Sequence, residues 1–598
     1  MSTLTDDAER RRTTATPSTR PRPSLRGESA APGSVTAVPQ ADQTPTSPPR
    51  PSGVRPVELT ELARSLGIAD VRPAVAGDDD APAGPEAIAV TGVTHDSRAV
   101  QPGDVYAALP GARFHGADFV AQAVSRGAVA TLTDPAGAQR CADAGLAVLV
   151  VPDPRRHMGK LAAAVYGEPG RDLLQIGITG TSGKTTTAYL VEGGLRAAAK
   201  EGELTGLIGT VESRIGDERL KAQRTTPEAT ELQALFGVMR ERGVTSVAME
   251  VSSHALVMGR VDGCVFDVAV FTNLSPEHLD FHTDMEDYFA AKAQLFTTAR
   301  SRAGVVNLDD EYGQRLAREA GVPVTTYSAE GHPDADWRAE DVEVGPLGSV
   351  FTIVGPQGLR ARAAAPMPGP FNVSNALGAV TALVVAGVDV QTAADGVAAI
   401  PGVPGRLERV DAGQPYLAVV DYAHKPDAVE SVLRALRRVT DGRIHAVLGC
   451  GGDRDPHKRG SMGAALARLS DTAVLTSDNP RSEDPLAILA AMLAGAAEVP
   501  SYERGTVLLE EDRAAAIAAA VARAEPGDVV IVAGKGHEVG QDIAGVVRAF
   551  DDREVLRDTI EDRLAREPLA VPDGPADAPG DGSQGVPHRA TTEEQPAR

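Results

Sequence analysis

The segment GITGTSGKTTT, residues 177–187, carries the most explicit chemistry in this chain. An apolar run, LLQIGI, feeds a glycine-rich turn that ends in Lys-Thr-Thr-Thr and continues into the helix-like AYLVEGGL. Gly180 and Gly183 let backbone N–H groups approach an anion, Lys184 brings a point charge to terminal phosphates, and Thr185 offers a hydroxyl to magnesium. ATP is the expected guest. The general phosphate-loop pattern is matched imperfectly, because Ile178 stands six residues before Lys184 where a glycine belongs.

Other groups could work beside this cradle. The run SVAMEVSSHAL reads as a strand ending in Glu250. A carboxylate at the carboxyl end of a strand can hold magnesium, which prefers oxygen ligands, and it can equally be an exposed strand-end charge. The stretches DVAVFTNLSPEHLDFH and EDYFAAKAQLF place His278 in a loop after a strand and Lys292 on a helix. Four further strand-like runs each end in a polar loop: YLAVVDYAHKP, RIHAVLGCGGDRDPHKR, DTAVLTSDNPRSEDP and DVVIVAGKGHE. In an open parallel sheet, ligands bind beyond the carboxyl ends of the strands, where all four loops would gather.

The elements that must position these groups fall into three blocks, about 53–166, 167–400 and 401–566. Each alternates short β-branched runs with alanine-rich helical stretches, the pattern of α/β domains. A chain of 598 residues has room for roughly three or four domains with real cores. Residues 1–52, rich in Pro, Thr, Ser and Arg, and residues 567–598, rich in Pro, Gly, Asp and Ala, are expected to be disordered. A formal charge of -23 argues against a general nucleic-acid binder. Cys141, Cys264 and Cys450 lack CxxC spacing, so they suggest neither disulfides nor zinc and are expected to be buried. Without an apolar leader or a run long enough to span a bilayer, the chain is expected to stay in the cytoplasm with no membrane insertion. Neither an LSGGQ-like signature nor an NKxD guanine reader is present.

The form TGTSGKTTT, followed in order by Glu250, EHLDFH, AAKAQLF and the four C-terminal loops, resembles the Mur ligases, which add amino acids to the peptide stem of bacterial cell-wall precursors. The resemblance covers about residues 53–566. It implies an α/β, three-domain architecture: a UDP-sugar-binding domain, a central P-loop ATPase domain and a C-terminal Rossmann-like domain. The implied reaction is ATP-dependent amide formation through an acyl phosphate, with small-molecule substrates and a monomeric enzyme. DNPR, residues 478–481, is the variant that in this family goes with meso-2,6-diaminopimelate as the added amino acid and UDP-N-acetylmuramoyl-L-Ala-D-Glu as acceptor. An arginine fork suits the carboxylate by which diaminopimelate differs from lysine.

Carried over residue by residue, the resemblance puts Gly180, Thr181, Ser182, Gly183, Lys184, Thr185 and Thr186 on ATP, with Asn372, Asn375, Arg406, Asp421 and His424 lining the nucleotide. Lys184, Glu250, His278 and Lys292 become catalytic. Thr185, Glu250, His278 and Lys292 also organise magnesium, Lys292 as a carbamate formed with carbon dioxide. The DSR, PGD and HG-type loop motifs resemble the family's uridine-nucleotide domain. They imply that Ser97, Ala112, Arg113 and Phe114, with Thr225, Thr226, Ser252 and Arg260, hold the UDP-sugar substrate. Arg454, Asp478, Asn479, Pro480, Arg481, Gly534 and Glu538 are implied to hold diaminopimelate. Arg224 and Met258 stand where some family members carry Asn and Gln.

Overall fold

The computed structural model describes residues 49–74 and 88–566; the two tails expected to be disordered lie outside the described residues, apart from residues 49–52. Each of the three sequence blocks forms its own sheet. In the first, the strands run in the order Asp70–Arg72, Ala147–Val150, Ala130–Thr133, Asp104–Ala108, Gly92–Thr94. All pairs are parallel except the one made by Asp70–Arg72. Along Asp104–Ala108, Val105 and Ala107 enter one core while Tyr106 and Ala108 enter another. That two-residue alternation is what a strand buried on both faces requires, and it explains why these runs are continuously apolar.

The central sheet has eleven strands, in the order Glu218–Lys221, Glu212–Ile215, Leu204–Ile208, Val244–Glu250, Leu174–Thr179, Phe266–Phe271, Ser301–Asn307, Val324–Ser328, Trp337–Gly345, Gly348–Val354, Arg360–Ala365. The seven from Leu204–Ile208 to Trp337–Gly345 are parallel, and antiparallel hairpins extend both edges. Ile176 and Ile178 pack under the helices Lys184–Ala198 and Pro370–Val385, and Val247 and Met249 pack on the opposite face.

The C-terminal sheet has six strands, Glu408–Arg409, Leu417–Asp421, Val529–Ala533, Ile444–Cys450, Thr472–Ser477, Thr506–Leu509, parallel except at the first pair. The expected gathering of four polar loops therefore holds: they leave the same edge at Asp421, Cys450, Ser477 and Ala533. Phe371, at the start of the helix Pro370–Val385, packs against this domain's core and couples it to the central one.

Two ionic anchors were not legible as motifs. Arg50, assigned by the sequence to the N-terminal extension, instead forks onto Asp104 at 2.7 and 2.8 Å, and the amides of Ser52 and Gly53 donate to Glu241. In the C-terminal domain Arg513 and Asp552 are both fully buried and bonded twice, each contact at 2.7 Å. Arg513 also donates to the carbonyls of Ser477, at 3.3 Å, and Ala533, at 3.0 Å, the last residues of two site strands that flank Ile444–Cys450. The three cysteines are free and buried, as expected. No helix among the described residues is long and apolar enough to cross a membrane.

Breaking a buried ion pair from one side leaves an uncompensated charge. Arg513→Leu should therefore cost about 3–5 kcal/mol in urea unfolding followed by circular dichroism, and Arg513→Leu/Asp552→Leu should recover much of the loss.

Candidate active site

The strand Leu174–Thr179 lies between Val244–Glu250 and Phe266–Phe271, so the glycine turn that follows it opens at the carboxyl edge of the sheet. Two glycines are needed there. Gly180 has φ +147° and a Cβ on it would stand 1.9 Å from Thr272 Oγ1; Gly183 has φ +86° and a Cβ would meet Asn375 Oδ1 at 2.4 Å. The turn is held from the next loop: Ser182 N–H donates to Asn273 Oδ1 at 2.9 Å, and Thr181 Oγ1 lies 3.2 Å from the Tyr288 hydroxyl. Lys184 folds back over the turn, donating to the carbonyls of Gly180 and Thr181 at 2.9 and 2.8 Å. Burial lowers its pKa to about 8, with Arg406 adding to the shift and Glu250 opposing it.

Thr185 and Thr186 open the helix Lys184–Ala198, whose N-cap, Gly183, supplies no side-chain acceptor. The helices Pro370–Val385, Pro426–Arg437 and Lys458–Leu469 likewise begin without a side-chain cap. Aspartates cap several other starts, as Asp134, Asp153, Asp310 and Asp512 do, while the short helices Leu59–Ser65 and Val120–Ser125 are also uncapped. Uncapped N–H groups and the helix dipole favour an anion. Asn375 links the first two of these starts, bonding Thr187 at 3.4 Å and Asn372 at 3.1 Å.

Glu250 is buried and takes the Thr185 hydroxyl at 3.0 Å, the Thr210 N–H at 2.7 Å and the Thr210 hydroxyl at 3.2 Å. Its backbone carbonyl accepts from Thr226 at 2.9 Å, and Thr225 reaches Thr210 at 3.0 Å. Of the two readings left open by sequence, the exposed strand-end charge is excluded by this burial. Arg406 crosses from the C-terminal domain to Thr185 Oγ1 at 3.1 Å and lies 4.7 Å over the Tyr422 ring. Asp421 holds that crossing segment in place, accepting from Leu407 N–H and Ala423 N–H, both at 2.7 Å. His424 stacks near Tyr422, and burial keeps its imidazole neutral with a pKa of about 4.

Lys292 is almost wholly buried, donates to the Gly180 carbonyl at 2.7 Å and lies 4.6 Å from the Tyr288 ring centre. It forms no ion pair among the described residues, and burial, helped by Lys184, pushes its pKa well down. An amine in this state is the nucleophilic form that carbon dioxide requires. His278 adopts φ +56°, unusual for a residue with a Cβ. Its ring packs edge-on to His254 and Tyr288, its Nε2 lies 3.1 Å from Glu277 Oε1, and burial plus the nearby lysines lower its pKa to about 4. Among the described residues no three His, Cys, Asp or Glu side chains converge on one point. The donor set nevertheless suits magnesium: Glu250 has oxygen partners and no lysine or arginine ion pair, Thr185 touches it, and the His278 imidazole shares Lys184 with it as a charged neighbour.

In the C-terminal loops, Arg481 takes φ +51°, bonds the Gly452 carbonyl at 2.6 Å and presents its guanidinium 3.0 Å from the place a Gly451 Cβ would occupy. Arg454 flanks the same Gly451. Neither arginine is within ion-pair distance of a carboxylate among the described residues; their partners there are backbone carbonyls, of Gly452 for Arg481 and Asp453 for Arg454. Asn479 Nδ2 donates to Glu538 Oε2 at 2.9 Å. Asp478 is buried, which raises its pKa, and a Cβ on Gly534 would lie 2.9 Å from its Oδ2. Pro480 carries the chain past Gly452, whose Cβ position its carbonyl would obstruct at 2.0 Å.

In the first domain, Ser97 and the loop carrying Ala112, Arg113 and Phe114 follow neighbouring parallel strands. Ser97 donates to Gln122 at 2.7 Å, while Phe114 is 67% exposed with only Phe119 edge-on beside it. Ser252 caps the helix Ser253–Val257. Arg260 donates to Glu228 at 2.9 Å, and that carboxylate also draws Arg155 to 3.3 Å and Arg224 to 3.8 Å, so three arginines from separate segments share one negative charge. Sequence reading missed Glu228, Thr210, Thr272, Glu277 and Lys425; the last two meet across the boundary between central and C-terminal domains. Of the arginines on Glu228, only Arg224 is a near neighbour in sequence; nothing local signals Arg155 or Arg260.

Three α/β domains closing on one phosphate cradle define a nucleotide-using enzyme of modular build. Family models match as Mur ligase family, catalytic domain, over residues 89–166; Mur ligase middle domain over 178–383; and Mur ligase, glutamate ligase domain, over 405–536. The chain is 73% identical over 514 residues, 86% of its length and 98% of the other protein's, to a UDP-N-acetylmuramoyl-L-alanyl-D-glutamate--2,6-diaminopimelate ligase of Streptomyces coelicolor. A protein of the same name from Streptomyces avermitilis is 72% identical over 86% of this chain and 98% of its own. A solved structure of a ligase of that name superposes with a TM-score of 0.61 at 31% identity, covering 85% of this chain and 99% of the other. The chain belongs to the Mur ligase family.

Gly180→Ala places a methyl group on Thr272 in a backbone region closed to alanine. ATP affinity by titration calorimetry should fall at least about tenfold, with the circular dichroism spectrum unchanged.

Proposed function

We propose that this protein is the ligase that joins meso-2,6-diaminopimelate to the D-Glu carboxylate of UDP-N-acetylmuramoyl-L-Ala-D-Glu at the expense of ATP, in the cytoplasm and as a monomer. The observation that carries the amino-acid assignment is the pair Arg454 and Arg481, two arginine side chains that flank Gly451 and make no ion pair among the described residues, with Asp453 the one carboxylate whose charge is felt by both. Across the loop cluster, Glu538 and Asp478 supply the opposite sign for an ammonium. A zwitterion with a second carboxylate matches that layout, and lysine leaves one arginine unanswered.

A carboxylate is a poor electrophile because loss of oxide is prohibitive, so it is first made into an acyl phosphate. The γ-phosphorus bonds to a D-Glu carboxylate oxygen while its bond to the β,γ-bridging oxygen breaks and ADP leaves. The amine of diaminopimelate then attacks the acyl carbon, phosphate departs with the electron pair, and the ammonium proton is lost. Glycine-turn amides, Lys184 and Arg406 hold the phosphates and offset charge at the transferring group. Thr225, Thr226, Ser252 and Arg260 hold the muramoyl-dipeptide end, with Ser97 and the Ala112, Arg113, Phe114 loop on the UDP moiety. Asn372, Asn375 and His424 border the nucleotide.

Thr185, Glu250, His278 and carbamylated Lys292 would hold magnesium, which supplies charge neutralisation at the phosphate oxygens. The carbamate forms when the neutral Lys292 amine bonds to the carbon of carbon dioxide and releases one proton, turning a buried amine into an anionic oxygen ligand. The buried amine without a carboxylate partner supports this reading.

Phosphate release with ATP, magnesium and the UDP-muramoyl dipeptide should require meso-diaminopimelate, with L-lysine inactive; a preference for lysine overturns the specificity assignment. Arg481→Ala should raise KM for diaminopimelate about 10–100-fold, the worth of a charge-assisted pair, with KM for ATP unchanged. Lys292→Ala should lose turnover and regain part of it with short carboxylic acids; full activity in the variant removes Lys292 from the mechanism.

A further inference from the structure

Lys535 is fully buried, yet its ammonium sits directly behind the proposed amino-acid site. Its Nζ donates to Asn479 Oδ1 at 3.1 Å and to Glu538 Oε2 at 3.2 Å, and lies 3.8 Å from Asp478 Oδ1. The triangle closes through Asn479 Nδ2, which donates to the same Glu538 oxygen at 2.9 Å. The amide orientation is settled by a second donor, since Asp542 N–H also reaches Asn479 Oδ1, at 2.9 Å. With two donors on Oδ1, the Nδ2 end has to face Glu538.

One oxygen of Glu538 is therefore fully committed, to Lys535 and Asn479, while Oε1 receives no donor among the described residues and the side chain remains partly exposed. The charges also leave a vacancy of definite sign: one lysine faces two carboxylates, Asp478 and Glu538, so the cluster is one positive charge short. A buried, incompletely neutralised carboxylate favours a cation.

We propose that Lys535 is the positioning residue of the amino-acid site, locking Asn479 and Glu538 so that Glu538 Oε1 is aimed at the ammonium of the incoming amino acid. This rests on the reading above that Glu538 receives an ammonium. Lys535 touches no substrate; it fixes the groups that do. The arrangement selects for amino acids bearing an ammonium at this end, while Arg454 and Arg481 select for carboxylate at the other.

The test compares Lys535→Met, Lys535→Gln and Glu538→Gln in the full-length enzyme, measuring KM and kcat for meso-diaminopimelate and KM for ATP. Positional isotope exchange in ATP, run with the UDP-muramoyl dipeptide and no amino acid, reports the first half-reaction alone. Lys535→Met is expected to raise KM for diaminopimelate about 30-fold, with isotope exchange and KM for ATP within about threefold of the parent enzyme. Lys535→Gln, which keeps a donor, is expected to restore KM to within about fivefold. If isotope exchange collapses in Lys535→Met, the glutamine variant decides: an intermediate KM for diaminopimelate supports the assignment, and an unchanged one overturns it. An unchanged KM in Lys535→Met beside a raised KM in Glu538→Gln overturns the role of Lys535 alone. An unchanged KM in Glu538→Gln instead overturns the underlying reading of the site.

Discussion

Everything in the nucleotide site hangs on one buried carboxylate. Glu250 ends a central strand, and desolvating it is tolerable because the Thr185 hydroxyl and the Thr210 amide and hydroxyl point at it. Those donors come from the cradle helix and from the loop after Leu204–Ile208, so satisfying one charge fixes the relative position of three segments. Thr226 adds a fourth segment through the Glu250 carbonyl. Hydroxyls and amides satisfy the oxygens without cancelling the charge, a distinction that the proposed magnesium site would need.

The same economy governs the loops. His278, Leu407, Asp453 and Arg481 are four of the eight non-glycine residues with positive φ among those described, and all four lie in the segments around the site. Strain of this kind persists only where the surroundings over-determine it. Arg513 provides such surroundings for two loops at once, because it grips the last carbonyls of the strands that launch Asp478–Arg481 and Gly534–Glu538 while Asp552 neutralises it. The uncapped helix starts follow the same logic from the other side: donors that stability would normally satisfy are left for a ligand.

What the sequence made legible is what is encoded locally. The glycine turn, the strand ending in Glu250, the three α/β blocks and the four loops at one sheet edge all follow from contiguous patterns of apolar runs, glycine and strand-end polar residues. What it hid is convergence. Arg155 and Arg260 join Arg224 on Glu228 from positions far away in the chain, and Arg513 and Asp552 occupy runs that read as ordinary alanine-rich and charged helices. Lys535 sat beside a residue already singled out, yet a lysine between glycines carries no hint of complete burial. The hairpins that widen the central sheet to eleven strands lack any chemical motif and were absorbed into the block as a whole.

Arg50 gives the first domain its true edge. Asp104 lies at the start of a strand with almost no exposure, and the cation that answers it comes from a stretch whose composition reads as solvent-bound tail. The margin of this domain is therefore drawn by charge balance, not by where hydrophobic residues run out. Positions 50 and 104 consequently act as one electrostatic unit across half a hundred intervening residues: without the arginine, the buried aspartate would keep, among the described residues, only the Gln101 amide to offset its charge.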